Sequence, residues 1–229
     1  MKRPQPLDLA AIVRTFEAIP ELKSAGALAG ATALHHEHLE NRLGRFSFDI
    51  DLRNQRESVA AIDSRFSPAT RRKLRLISRL NEDLYEYESR FARRIVRVEI
   101  ARPYLRHRSQ YRPSRHVPGL QVVSLADLLF AKVLAFSTRG LPRDLVDLLA
   151  AHQQKGIDWE ALLLRAANST DNDYNPAEFH RKLKRHQREC RAAEYWEELP
   201  VTKPPSRREL QEFIEALVRA NRSVARSSL

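Results

Sequence analysis

Two carboxylates placed two residues apart on a β-strand leave the backbone on the same side, where both can ligate one divalent cation or bridge two. In Arg45-Phe46-Ser47-Phe48-Asp49-Ile50-Asp51-Leu52 the apolar residues Phe46, Phe48, Ile50 and Leu52 alternate with Ser47, Asp49 and Asp51. That period predicts a strand with a wet, acidic face. Nucleotidyl transfer needs such a face: Mg2+ (or Mn2+) neutralises a triphosphate, activates the attacking hydroxyl and stabilises the leaving pyrophosphate. A third acid from an adjacent strand completes the set, and Glu99, on the polar side of the alternating stretch Ile95–Ala101, is the candidate. Taken alone, the Asp-x-Asp pair also fits a solvated strand edge. Upstream, Gly30-Ala31-Thr32 falls at a strand-to-helix turn, where free backbone N–H groups and a small residue let phosphates approach.

A second chemistry-bearing stretch is basic. Residues 90–115 hold nine arginines and one acid, Glu99, with Tyr104 and Tyr111 interleaved. Arginine binds phosphate bidentately and aromatic rings offer stacking platforms, so Arg94, Arg97, Arg102, Arg106, Arg108 and Arg112 are candidates to track an RNA backbone. The plain alternative is a solvated basic surface. His35, His36 and His38 do not follow the His-Glu-x-x-His zinc spacing, which leaves an exposed helix face or a phosphate contact. Ser47 has no legible His and Asp partners for a nucleophilic role and is read as a support for phosphates. Cys190 sits in a charged helix and is read as a bystander, and Tyr195 and Trp196 as packing for the last helix.

These groups must be positioned by a chain of 229 residues and 26.5 kDa, with Lys+Arg 40 against Asp+Glu 29 and a sequence pI near 10.2. The charge points to an anionic partner, nucleic acid or nucleotide first. One cysteine excludes an intramolecular disulfide and zinc architectures built on two or four cysteines, and fits a reducing cytoplasm. No apolar run approaches the roughly 18 residues of a membrane span, and Asp8 and Glu17 interrupt the N-terminus where a signal peptide would be apolar, so a soluble, unprocessed cytoplasmic protein is expected.

Periodicity predicts helices over 7–19 and 31–40, a charged helical stretch over 68–91, and strands over 95–101 and 120–123. Ser124 with Asp127 reads as a capping-box-like start of a helix that Gly140 stops; Pro142 opens the next, and another spans 159–167. A charged helix follows over about 177–194, and Ser206 with Glu209 caps the final one. Two domains are expected, 1–123 carrying the acidic strand and 124–229 helical.

Leu28-Ala29-Gly30-Ala31-Thr32-Ala33-Leu34 resembles the "GGTAL" turn of the AbiEii/AbiGii toxin family of nucleotidyltransferases, within the polymerase-beta-like superfamily. Arg45 to Leu52 resembles that family's "RxSxDlDl" strand, Val98-Glu99-Ile100 its later acidic strand, and Ser124 to Ala150 its "lxxLlaxKlxAxxxRgxxRDlxDlxxL" helical block. The likeness spans roughly residues 20–152, and departs at Ala31, where the family carries Gly or Ser. It implies an α/β fold, a small mixed sheet flanked by helices, with the C-terminal helical region as the second wall of a cleft. It also implies transfer of a nucleoside monophosphate from an NTP to an acceptor hydroxyl, with Asp49, Asp51 and Glu99 binding metal. Glu99 would also orient or deprotonate the acceptor, and Gly30, Thr32, Ser47 and Lys132 would hold the triphosphate.

Lys132 falls on the apolar stripe Leu125, Leu128, Leu129, Phe136, where a lysine must snorkel or meet an anion. Asp144 and Asp147 share a helix face; a local network, with Arg143 pairing Asp147, stands beside a catalytic role for one of them, and Asp144 is taken as the site acid. By resemblance the protein would be the toxin of a type IV-like toxin-antitoxin or abortive-infection pair, acting on tRNA and opposed by a separately encoded antitoxin. The alternatives are a non-catalytic nucleic-acid-binding or regulatory protein on a degenerate transferase fold, and an enzyme that nucleotidylates a protein hydroxyl.

Overall fold

A computed structural model of the chain describes residues 6–91, 94–102, 109–169, 174–197 and 199–227. Tyr104, Arg106 and Arg108 of the basic run, and the side chain of Arg94, lie outside the described residues. The chain divides into two compact units, residues 1–38 with 46–125 and residues 39–45 with 126–229.

The first unit is an α/β unit around a mixed sheet. Its strands are β1 (Ala27–Leu28), β2 (Asp49–Arg53), β3 (Leu74–Asn81), β4 (Leu84–Phe91), β5 (Arg94–Ala101), β6 (Tyr111–Pro113) and β7 (Gln121–Val123). They form seven strands in the order β3-β4-β5-β2-β1-β7-β6, with β2–β5 and β1–β7 parallel and the other pairs antiparallel. Five helices belong with them: α1 (Leu9–Ala18), α2 (Leu22–Ala25), α3 (Gly30–Ala33), α4 (Val59–Arg65) and α5 (Pro68–Lys73). Side-chain caps start three of these, with Asp8, Ser58 and Ser67 accepting from backbone N–H groups of the first turn. Ile12 and Phe16 of α1, Ile50 and Leu52 of β2 and Val98 and Ile100 of β5 are buried to within a few percent, so every second residue of the central strands is core.

Two expectations fail here. The stretch 68–91 is helical only over α5; from Leu74 onward it is the hairpin β3–β4. Tyr85 and Tyr87 are aromatic strand formers that pack inward, while the charged residues of the hairpin, which gave the segment its helical look, stay out of the core, with Arg75 and Arg79 exposed and Glu86 and Glu88 half-buried. The predicted strand over 45–52 begins only at Asp49. Before it, Arg45 and Ser47 are buried and Phe48 is 38% exposed, so the alternation is inverted relative to Ile50 and Leu52.

The second unit is helical: α6 (Leu125–Arg139), α7 (Pro142–Lys155), α8 (Trp159–Ala167), α9 (Pro176–Glu189), α10 (Glu194–Glu197) and α11 (Arg207–Ser227). Gly140, at φ 60°, and Gly156, at φ 57°, end α6 and α7 in the left-handed conformation. At the start of α11, Glu209 N–H donates to Ser206 Oγ while Ser206 N–H donates to Glu209 Oε2, the reciprocal capping box. Phe136 stacks edge-on against Phe179, and Trp159 against Phe213, in the core of this unit. Residues 39–45 are held into it by an antiparallel bridge from Arg45 to Val201 and by backbone bonds from Thr202 and Lys203 to Gly44 and Leu43.

Candidate active site

The acidic face of the first unit is set by strand register. Asp51 of β2 pairs with Glu99 of the parallel β5, and Asp49 pairs with Arg97. Ile50, Leu52, Val98 and Ile100 point into the core, which leaves Asp49, Asp51 and Glu99 together on the opposite, half-exposed side. Glu86 and Glu88 of β4 follow in register beside Glu99 and Arg97. Arg97 is thus part of the acidic face, rather than of a separate basic groove.

Each of the three carboxylates is held differently. Ser47 Oγ donates to Asp49 Oδ1 at 2.7 Å, fixing that carboxylate from two residues upstream. Asp51 lies against Gly30: a Cβ on Gly30 would stand 1.8 Å from Asp51 Oδ2, and Gly30 itself is at φ 64°. Both facts require glycine there. The backbone N–H of Ala29 donates to the Asp51 carbonyl at 2.8 Å, and Thr32 Oγ1 donates to the Asp49 carbonyl at 2.9 Å, so the turn into α3 is bolted to the acidic strand. Glu99 is engaged by Arg53, whose Nη1 is 2.8 Å from Glu99 Oε1 and whose Nη2 is 3.9 Å from Asp51 Oδ1.

Among the described residues, no three His, Cys, Asp or Glu side chains converge as a metal cage. Asp49 and Asp51 supply two hard oxygen donors on one face, the donor chemistry a divalent cation takes. Glu99 is the departure from that fit, since its charge is met by a guanidinium. Arg53, two residues beyond Asp51 and on its side of the strand, was legible from the same period of two, yet sequence reading stopped at the acids.

Lys132 and Asp144 belong to the second unit. Lys132 meets an anion as its apolar stripe demands, and the anion is internal: Nζ lies 2.7 Å from Asp147 Oδ2 and 3.5 Å from Asp144 Oδ1. Asp144 takes a bidentate pair from Arg139, both bonds at 2.7 Å, and Asp147 takes Arg45 Nε at 2.9 Å. Arg143, expected on Asp147, is exposed instead. Both aspartates are fully buried. Arg45, from the segment 39–45, is a member sequence reasoning missed; it is held in place by Asn41, whose Oδ1 accepts from its N–H and whose side-chain amide donates to its carbonyl.

A family model described as "Nucleotidyl transferase AbiEii toxin, Type IV TA system" matches residues 14–225. The chain belongs to the AbiEii nucleotidyltransferase toxin family. It is therefore a nucleotidyltransferase, the toxin of a type IV toxin-antitoxin system, with an NTP substrate and an antitoxin implied by the family. Among solved structures, it resembles MenT4, a nucleotidyltransferase toxin from Mycobacterium tuberculosis H37Rv, with a TM-score of 0.62 and 18% identity over 95% of this chain and 87% of that one. That likeness is one of fold. No curated protein matches the chain by sequence.

In this AbiEii-family chain, the remaining sequence candidates have structural duties. His35 and His38 are buried, against the expected exposed face: the segment Leu34–His38 extends α3 as a π-helical turn, and His38 Nε2 is 2.8 Å from the Val123 carbonyl. Burial, above all, holds the His36 and His38 imidazoles below the usual value of 6.5. Arg112 is turned inward to the carboxylate of Glu37, 3.6 Å away, and to its carbonyl. Glu37 is itself buried and also accepts from Ser114 Oγ and the Arg115 N–H, pinning the turn after β6. Arg102 pairs with Asp83 at 3.5 Å. Cys190 is buried, and burial raises its thiol above the ordinary range, as befits a bystander. Tyr195 is buried with its hydroxyl 3.0 Å from His186 Nδ1. No helix among the described residues is long and apolar enough to cross a membrane.

Proposed function

We propose that the chain transfers a nucleoside monophosphate from an NTP to a tRNA hydroxyl, with Asp49 and Asp51 holding Mg2+. The observation that supports this is the register that lays Asp49, Asp51 and Glu99 on one face, beside a glycine whose missing side chain admits the Asp51 carboxylate. When bound, the cation supplies charge neutralisation for the triphosphate and its leaving pyrophosphate.

The residues do the rest. Ser47 keeps the Asp49 carboxylate aimed at the cation, and Thr32 locks the Asp49 backbone. First-turn N–H groups of the helix that starts at Gly30 have no intrahelical acceptor and suit a phosphate oxygen. Glu99, once released by Arg53, takes the proton of the acceptor hydroxyl as its oxygen bonds to the α-phosphorus; the bond from that phosphorus to pyrophosphate breaks. Asp144 and Asp147 hold Lys132 in place within the helical unit.

The test is purified protein with Mg2+, each α-32P-labelled NTP in turn and a total tRNA pool, beside Asp49→Ala/Asp51→Ala. Label on RNA from the native chain, reduced by about 10²–10³ or more in the double variant, is the expected result. Label on protein instead of RNA would replace the acceptor, and undiminished label in the double variant would remove the site.

A further inference from the structure

We infer that the solvent face shared by α9 and α11 is the docking surface for the phosphate backbone of the RNA acceptor, an inference that rests on the RNA reading above. The two helices run antiparallel: Asn221 of α11 donates to the Pro176 carbonyl at the start of α9, and Arg207, at the start of α11, acts electrostatically on Cys190 at the end of α9.

Charge along both helices is segregated. Residues 176–191 hold six Lys/Arg against two Glu, and residues 216–227 hold three Arg and no acid. On α9, Phe179, Leu183 and His186 face the core, which sends His180, Lys184 and Arg188 outward in steps of four, about 6 Å each along the axis. On α11 the exposed stripe ends in Arg219, Arg222 and Arg226. The two rows meet: burial first, then the charges of Arg222 and Lys184, hold the His180 imidazole below its usual value.

Other basic groups of α9 are already engaged. Arg181 pairs with Glu178, Arg185 with Glu189 and the Gly140 carbonyl, and Lys182 with the carbonyls of Ser137 and Thr138. By contrast, Lys184 donates to the Gln187 side-chain oxygen, and among the described residues no ion pair involves Lys184, Arg188, Arg219, Arg222 or Arg226. The patch is bounded on α11, where Glu212 and Glu215 occupy the same stripe and Glu212 pairs with Arg208.

Its composition selects the partner. Protein interfaces centre on apolar and aromatic anchors, and the large exposed apolar residues, Phe48, Ile77, Leu80 and Leu164, all lie off these helices. A row of cationic side chains with no Phe, Tyr or Trp beside it reads phosphates in preference to bases. This surface therefore grips RNA without regard to sequence. Of the arginines of the 90–115 run whose side chains are described, Arg102 and Arg112 are ion-paired and Arg97 lies within the acidic face, which leaves Arg115 as the exposed one.

The experiment uses the full chain without NTP, labelled tRNA and fluorescence anisotropy over a salt series. Lys184→Gln/Arg188→Gln/Arg222→Gln is compared with Arg14→Gln/Arg56→Gln/Arg72→Gln, which removes the same charge from exposed sites of the first unit. Three lost phosphate contacts lower the slope of log affinity against log salt by about 2 and weaken binding about a hundredfold at 0.1 M salt. The patch variant is expected to show that loss, the control variant a small one, and Lys184→Arg/Arg188→Lys/Arg222→Lys near-native binding, with circular dichroism unchanged throughout. Equal losses in the two neutralised variants, or none in the patch variant, would overturn the surface. So would displacement of tRNA by poly-glutamate at equal charge concentration, which would point to an acidic protein as the occupant. Labelling of RNA by the native chain, measured in parallel, reports separately on the transferase reading.

Discussion

The acids of the two units are treated in opposite ways. In the sheet unit, Asp49, Asp51 and Glu99 stand half-exposed on one face, with Arg53 pairing Glu99 and Asp51 and a neutral hydroxyl, Ser47, on Asp49. In the helical unit, Asp144 and Asp147 are fully buried and share Arg139, Lys132 and Arg45. Buried charge must be compensated within the protein, because desolvation costs several kcal/mol per ion. Half-exposed charge can wait for a ligand. The difference separates acids that hold a fold from acids that can hold a cation, although all five belong to motifs that look alike in sequence.

The sharpest way to break this contrast is Asp147→Ala, which strands Lys132 and Arg45 in the interior and should cost about 3–5 kcal/mol in a urea unfolding experiment. A native-like midpoint would mean that the buried network carries no stability and that Asp147 is free for another task. Gly30→Ala comes next. A side chain there meets Asp51 and must adopt a left-handed backbone, so about 1–3 kcal/mol of stability and most nucleotidyl transfer should be lost together. Loss of stability with full activity would detach Gly30 from the site.

A smaller effect is expected of Arg53→Gln. The partly exposed pair with Glu99 is worth up to about 1 kcal/mol, so freeing Glu99 should tighten Mn2+ binding about two- to fivefold in an electron paramagnetic resonance titration without NTP. Weaker Mn2+ binding would make Arg53 a supporter of the cation instead of its competitor. The smallest effect concerns pH and treats the units alike. Burial depresses His36 and His38 in one and His186 in the other, so each binds a proton more readily unfolded. Their contribution is complete above 6.5 and is lost as pH falls through the lowered folded values, so the urea midpoint should drop between about pH 7 and pH 5. A flat profile would show that these rings accept protons in place.

Sequence periodicity located what repeats locally: α1, β5, the helices α6 to α8 and the Ser206–Glu209 cap all lie where the pattern puts them. It placed Asp49, Asp51 and Glu99 on their strands, and register then set Asp51 beside Glu99. What it missed is set by distant contacts. The hairpin β3–β4 gains its identity from pairing with β5, and its own charged outer face mimics a helix. Arg45 reaches Asp147 across 102 positions, and Glu37 anchors Ser114 across 77, separations at which no spacing rule operates.

The segment 39–45 has a consequence for how the molecule is made. Its partners in the helical unit include Thr202, 158 residues downstream of Gly44. At ~5–20 residues per second of synthesis, about 8–30 s pass between the emergence of the two. Through that interval Arg45 has been translated while Val201 has not, and the helical unit lacks its last contacts. A chain halted before Val201 therefore carries the segment 39–45 without the bridge and backbone bonds that hold it into the helical unit, and lacks α11.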